Sequence, residues 1–123
     1  MKRILIIEDE KPLRDAFAFL LQSQGFTVDF AENGKVGLNK LKDFNPDLIL
    51  LDMLMPVMNG QEFLEHADLA AHHPHVRTLM LSNLSDPITF DDAHTHGVTD
   101  SILKADLSPD ELLGVVKRLL EMK

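Results

Sequence analysis

Three short stretches of the chain are continuously apolar, and each ends on polar residues. Ile4 to Ile7 stops at Glu8-Asp9-Glu10, Leu48-Ile49-Leu50-Leu51 stops at Asp52, and Val76 to Leu81, less pure, stops at Ser82-Asn83. Runs rich in Ile and Leu and closed in this way suit strands covered on both faces of a parallel sheet. Two further segments differ. Phe26-Thr27-Val28-Asp29-Phe30 alternates, and Val98-Thr99-Asp100-Ser101-Ile102-Leu103 is mixed and more polar. Half-polar strands belong at sheet edges, so the pattern predicts three central strands and two outer ones.

Helical periodicity fills the intervals. Leu13, Phe17, Leu20 and Leu21 fall at i, i+4, i+7 and i+8 with Ala16 on the same stripe, and Gly25 can close that helix. Val36, Leu38 and Leu41 form a shorter helix after Asn33-Gly34. Asn59-Gly60-Gln61-Glu62 reads as a cap with a carboxylate at its third position, opening a helix through Phe63 and Leu64. Asp86-Pro87 resembles a cap followed by Pro, with Gly97 to end that helix. Ser108-Pro109-Asp110-Glu111 is the strongest start signal, and Leu112, Val115, Val116, Leu119 and Leu120 follow on one face.

The order is strand then helix, five times over. Such alternation predicts a doubly wound α/β fold, with helices on both faces of a five-stranded parallel sheet and right-handed crossovers. Central and outer strand types fit the order 2-1-3-4-5, the flavodoxin-like arrangement, in which ligands bind beyond the carboxyl ends of the strands. Neither repeat nor linker interrupts the pattern, and residues 1–123 are expected to form a single domain.

Composition narrows the chemistry. Cysteine is absent, which excludes disulfides, thiolate metal sites and cysteine nucleophiles. Twelve Lys and Arg against 20 Asp and Glu give a net charge of −8, the wrong sign for non-specific binding to nucleic acid or an anionic membrane surface. No apolar run approaches the roughly 20 residues of a membrane span. The start, Met-Lys-Arg followed by four apolar residues, is too short and too soon acidic for a signal peptide, so a cytoplasmic protein is expected.

The predicted topology brings the strand-closing polar residues to one edge: Glu8 and Asp9 after the first strand, Asp52 after the third, Ser82 after the fourth and Lys104 after the fifth. Two carboxylates about 4 Å apart repel by roughly 4 kcal/mol at an effective dielectric near 20. Three together call for a counter-charge, and all-oxygen ligands select Mg²⁺ or Mn²⁺ over softer metals. Such an ion attracts a phosphoryl donor, and Asp52 is then the natural nucleophile, since a carboxylate can attack phosphorus to give an acyl phosphate. Lys104, as a point charge, and Ser82, as a hydroxyl donor, would hold the transferred oxygens.

Glu8-Asp9, Asp52-Met53-Leu54-Met55-Pro56-Val57-Met58-Asn59-Gly60, Leu81-Ser82 and Lys104 together resemble the receiver domain of two-component response regulators (CheY-like), over the whole chain and at the family's spacing. The resemblance implies phosphoryl transfer to Asp52 from a phosphohistidine on a sensor histidine kinase or a histidine phosphotransfer protein. It implies Mg²⁺ held by Asp9, Asp52 and the backbone carbonyl of Leu54, with Glu8 acting nearby or through water. It also implies a signalling domain, with at most an autophosphatase activity, that changes its binding to an output protein on phosphorylation. A monomer and a phosphorylation-dependent dimer both remain open, and direct binding of nucleic acid is not expected.

Three positions depart from the family pattern. Ala105 replaces the usual Pro after the lysine, so a trans bond is expected there, with Lys104 aimed less firmly. Asn83 replaces a usual Ala or Gly, and Ser101 replaces the aromatic that turns inward on activation. These departures motivate a rival expectation, a receiver-like interaction module that works without phosphorylation. A haloacid-dehalogenase-type phosphatase would need a second Asp two residues after the nucleophile, where Leu54 stands. Met53, Met55 and Met58 read as loop packing rather than a soft-metal site. His72, His73, His75, His94 and His96 read as exposed loop and helix-end side chains, and Asp91-Asp92 as a solvated helix face.

Overall fold

A computed structural model describes residues 2–83 and 88–122. Its elements, in chain order, are β1 (Arg3–Ile7), α1 (Lys11–Ser23), β2 (Thr27–Ala31), α2 (Gly34–Phe44), β3 (Leu48–Asp52), α3 (Gly60–Ala67), α4 (Leu69–His72), β4 (Arg77–Ser82), α5 (Phe90–Thr95), β5 (Asp100–Leu103), a single 3₁₀ turn (Lys104–Asp106) and α6 (Pro109–Glu121). The strands run parallel in the order β2-β1-β3-β4-β5, the flavodoxin-like order expected from the sequence. The three apolar runs form the centre: Ile4 to Ile7, Leu48 to Leu51 and Leu79 to Leu81 are almost wholly buried. The half-polar strands β2 and β5 lie at the edges.

Period-two alternation splits the strand residues between two cores. Ile4, Ile6, Leu48, Leu50, Leu79 and Leu81 pack with Phe17 and Leu21 of α1 and with Leu112, Val116 and Leu119 of α6. Leu5, Ile7, Ile49, Leu51 and Met80 pack with Leu41 of α2, Phe63 of α3, Leu69 of α4 and Ala93 of α5. Each such Leu or Ile stabilises the fold by roughly 1.5–3 kcal/mol.

The helix starts follow the side chains that cap them. Asn33 Oδ1 accepts from the Val36 amide at 2.9 Å. Asn59 and Glu62 exchange reciprocal bonds of 2.9 and 3.1 Å, and Ser108 Oγ accepts from the Glu111 amide at 3.2 Å. Thr89, which the periodicity did not single out, caps α5 through the Asp92 amide. Asp86 and Pro87, offered by the sequence as that helix's start, lie outside the described residues.

Two details differ from the periodicity. The buried stripe of α1 is Arg14, Phe17 and Leu21, while Leu13 and Leu20 are half-buried and Ala16 is exposed. At about 100° per residue, a face centred on positions 14, 17 and 21 leaves position 16 on the far flank. The extra turn α4 follows Asp68, whose φ of 46° places it in the left-handed region and bends the chain after α3.

Candidate functional site

Alternation also decides where the acids go. Asp52 continues the Leu48, Leu50 series, and Glu8 follows the Ile4, Ile6 series, both on the face covered by α1 and α6. β1 and β3 are direct neighbours, with Ile7 level with Leu51, so the two acids emerge side by side. Asp9 follows at the turn into α1. One carboxylate oxygen from each of Glu8, Asp9 and Asp52 lies within 4.8 Å of the others. Lys104 arrives from the end of β5, two strands away from β3.

The ammonium of Lys104 is 3.1 Å from Glu8 Oε1 and 3.1 Å from Asp52 Oδ1. Both acids are almost fully buried. The remaining polar contacts are few. The Glu10 amide donates to Glu8 Oε2 at 3.2 Å, and the Leu54 amide donates to Asp52 Oδ1 at 3.3 Å. Asp52 Oδ2 is buried without a hydrogen-bond partner among the described residues. An acceptor oxygen left in that condition costs about 1–3 kcal/mol, and more when it is charged.

One ammonium does not neutralise three carboxylates, and the protonation equilibria show it. Burial pushes the Glu8 carboxyl up to about 8, with the neighbouring Asp52 carboxyl adding to the shift and Lys104 and the Glu10 amide opposing it. Burial also raises Asp52, against the lowering effects of the neighbouring Glu8 carboxyl, of Lys104 and of the Leu54 amide. Lys104 would be lowered by burial, but the charges of Asp52 and Glu8 outweigh this and leave it raised. Burial and mutual repulsion thus oppose full ionisation of the Glu8 and Asp52 carboxyls. A hard divalent cation would supply the missing counter-charge, and the donor set suits one: carboxylate oxygens, two of them (Glu8 Oε1 and Asp52 Oδ2) without a hydrogen-bond partner among the described residues, with neither sulfur nor imidazole among them.

The other expected residues are placed as follows. Ser82 is buried at the last position of β4, in register with Leu103, and no hydrogen bond or ion pair joins it to the carboxylates among the described residues. By alternation it follows Met80 toward the α3 and α5 face, one step off the acid row. Leu54 lies on the loop after β3, its amide on Asp52 and its side chain exposed. The bond between Lys104 and Ala105 is trans. Lys104 is nevertheless firmly placed, by its two ion pairs and by a 3₁₀ turn closed from the Leu107 amide to its carbonyl at 3.3 Å. Ser101 is half-buried on β5, level with Met80. Among the described residues, no histidine belongs to a group of three potential metal ligands.

Periodicity missed Arg14. It is a buried cation on α1 whose Nη1 donates to the Glu8 carbonyl at 3.1 Å. Its spacing from Phe17 and Leu21 was the available signal, but the charge excluded it from an apolar stripe.

Comparison with known proteins gives one consistent picture. The response regulator receiver domain model matches residues 4–117. The chain is 32% identical over 119 residues to the phosphate regulon transcriptional regulatory protein PhoB of Escherichia coli, covering 97% of this chain and 52% of PhoB. It is 43% identical over 70 residues to the alkaline phosphatase synthesis transcriptional regulatory protein SphR of Synechococcus elongatus, covering 50% of this chain and 27% of SphR. The chain thus spans about half the length of PhoB, and the half of it that aligns with SphR covers about a quarter of that protein. Among solved structures, the chemotaxis protein CheY4 of Vibrio cholerae superposes with a TM-score of 0.86 at 28% identity, covering 97% of this chain and 98% of CheY4.

Proposed function

The chain belongs to the response regulator receiver domain family, and on that premise we propose that residues 1–123 act as a phospho-accepting receiver in which Asp52 takes a phosphoryl group from a phosphohistidine. The observation that carries this reading is the state of Asp52: buried, with Oδ2 unpartnered, beside two more carboxylates and one ammonium. A carboxylate so placed is poorly solvated and has one oxygen left for a new bond. That oxygen forms the bond to phosphorus as the phosphorus–nitrogen bond of the donor breaks, and the departing imidazole takes up a proton.

Asp9, Asp52 and the Leu54 carbonyl, with Glu8 beside them, would hold Mg²⁺ or, in its place, Mn²⁺. When bound, the ion supplies positive charge that neutralises the phosphoryl oxygens. Lys104 holds a transferred oxygen as a point charge, by moving its ammonium from Asp52 Oδ1 to the incoming group. Ser82 donates its hydroxyl to another oxygen, after moving toward the acid row. The protein modifies itself and turns over no external substrate beyond its phosphodonor, with at most an autophosphatase activity.

The donor is a sensor histidine kinase or a histidine phosphotransfer protein. The signal passes to an output protein, and the net charge of −8 favours a protein partner over nucleic acid. Among the described residues no helix is long and apolar enough to cross a membrane, which accords with a cytoplasmic place. The complete set of acids and lysine weighs against the phosphorylation-independent module that Ala105, Asn83 and Ser101 suggest.

Incubation with Mg²⁺ and acetyl phosphate tests the reading. The wild type is expected to gain the mass of one phosphoryl group, and Asp52→Asn to gain none. An intact wild type that stays unmodified, or an Asp52→Asn variant modified equally, overturns it.

A further inference from the structure

Glu8 is held from several sides, although its Oε1 has no hydrogen-bond partner among the described residues and only an ion pair with Lys104. Its amide donates to the Ala31 carbonyl at 3.0 Å, its Oε2 accepts from the Glu10 amide, and its Oε1 faces Lys104. Its carbonyl oxygen accepts from Arg14 Nη1 at 3.1 Å. That carbonyl belongs to the planar peptide joining Glu8 to Asp9, so whatever fixes the oxygen also fixes the Asp9 amide and the direction in which Asp9 leaves the strand.

Arg14 is an expensive residue to use for this. It is only 8% exposed, on the same stripe of α1 as Phe17 and Leu21, and its buried Nε has no partner among the described residues. Burying a guanidinium with an unsatisfied donor opposes folding. Its guanidinium carbon lies 5.0 Å from the centroid of Phe30, which also has Lys40 Nζ at 5.2 Å, and Lys40 is tied to Asp29 and to the Phe30 carbonyl. The ring therefore limits how far the guanidinium can swing. A residue needed only to fill space on this face would be apolar.

We infer that Arg14, steadied over Phe30, is a positioning residue that sets the Glu8–Asp9 peptide and thereby holds Asp9 in range of the divalent cation. The inference rests on the proposed receiver chemistry and adds a residue that touches neither ion nor phosphoryl group. Groups that orient metal ligands from behind are worth about 10–100-fold in metal affinity.

The test is a calorimetric titration with MgCl₂ of the wild type and of Arg14→Met and Arg14→Lys, with the ¹⁵N amide shift of Asp9 followed in parallel. Arg14→Met keeps length and bulk without a donor; Mg²⁺ affinity is expected to fall about tenfold, with the Asp9 nitrogen shift displaced. Arg14→Lys restores a donor and a cation over Phe30, and is expected to stay within about threefold of wild type. Should Arg14→Met fail to fold, Phe30→Leu, at a 43% exposed position, removes the ring and is expected to weaken Mg²⁺ about threefold. A variant that melts lower yet binds Mg²⁺ as the wild type does, with the Asp9 shift unmoved, assigns Arg14 to packing alone and overturns the inference. A folded wild type that binds no Mg²⁺ removes the receiver reading itself, and the positioning role with it.

Discussion

Lys104 Nζ and Asp52 Oδ1 lie 3.1 Å apart, so the ammonium of the site already occupies one oxygen of the Asp52 carboxylate and leaves Oδ2 as the other. Asp52 ends β3 and Lys104 directly follows β5, and β4 lies between those two strands. Lys104 therefore contributes to the acid site only in the folded chain, and on the proposed chemistry its charge is the one that receives the transferred group. Removing it should slow the chemical step more than it harms ion binding. Lys104→Ala is expected to lower the rate of phosphorylation by acetyl phosphate about 10²-fold, with Mg²⁺ affinity equal to or above that of the wild type. Rapid-quench kinetics beside calorimetry separates the two effects.

Glu8 gives the fold a pH dependence of unusual sign. Its folded carboxyl is pushed up to about 8 from an ordinary 4.5, first by burial and then by Asp52. Between those values the folded state keeps a proton that the unfolded chain releases, so this group's contribution to stability falls as pH rises and levels off above about 8. In EDTA, the melting temperature of the wild type should fall from pH 5 to pH 8 by about 5 °C more than that of Glu8→Gln, which has no proton to lose. Calorimetry over that range checks it, and added Mg²⁺ should recover stability at the alkaline end by binding the ionised acids.

Gly60, the first residue of α3, lies against the carboxyl end of β3. A Cβ there would sit 2.6 Å from Met53 Sδ and 2.8 Å from the Asp52 carbonyl oxygen. The Met53 side chain can yield; the Asp52 carbonyl oxygen and the Met53 Cα, also 2.8 Å away, can move only with the backbone. Gly60→Ala is expected to destabilise the fold by roughly 1–3 kcal/mol and to slow phosphorylation at Asp52. Thermal melts paired with acetyl phosphate kinetics would show both effects.

Val57 has a φ of 68°, and the Met58 amide bonds back to the Pro56 carbonyl at 2.7 Å, closing a γ-turn. A β-branched residue in the left-handed region costs about 1–2 kcal/mol, a cost that Asn largely avoids. Val57→Asn should therefore raise the melting temperature by about 3 °C, and leave Mg²⁺ affinity unchanged because the side chain is exposed and the turn is retained.

Strand type, strand order and the convergence of Glu8, Asp9, Asp52 and Lys104 were legible because they follow from runs, alternation and register. Asn59 with Glu62 and Ser108 with Glu111 were legible because capping is local. Thr89 was not, since an isolated Thr before a short helix gives no periodic signal. The placement of Ala16 was misjudged because a 3.6-residue stripe read from Leu13 and Leu20 is rotated when a buried Arg14 takes its centre. That Lys104 is well held without a following Pro was also hidden, for its support comes from the 3₁₀ turn and from two partners distant in sequence.

A crystal structure with Mg²⁺ and beryllofluoride tests the central claim most directly. Beryllium should be bonded to Asp52, with the ion coordinated by Asp9, Asp52 and the Leu54 carbonyl, and with Lys104 and Ser82 on the fluorides. Well-ordered crystals in which Asp52 carries no beryllium, or in which Mg²⁺ sits away from Asp9 and Asp52, would contradict it.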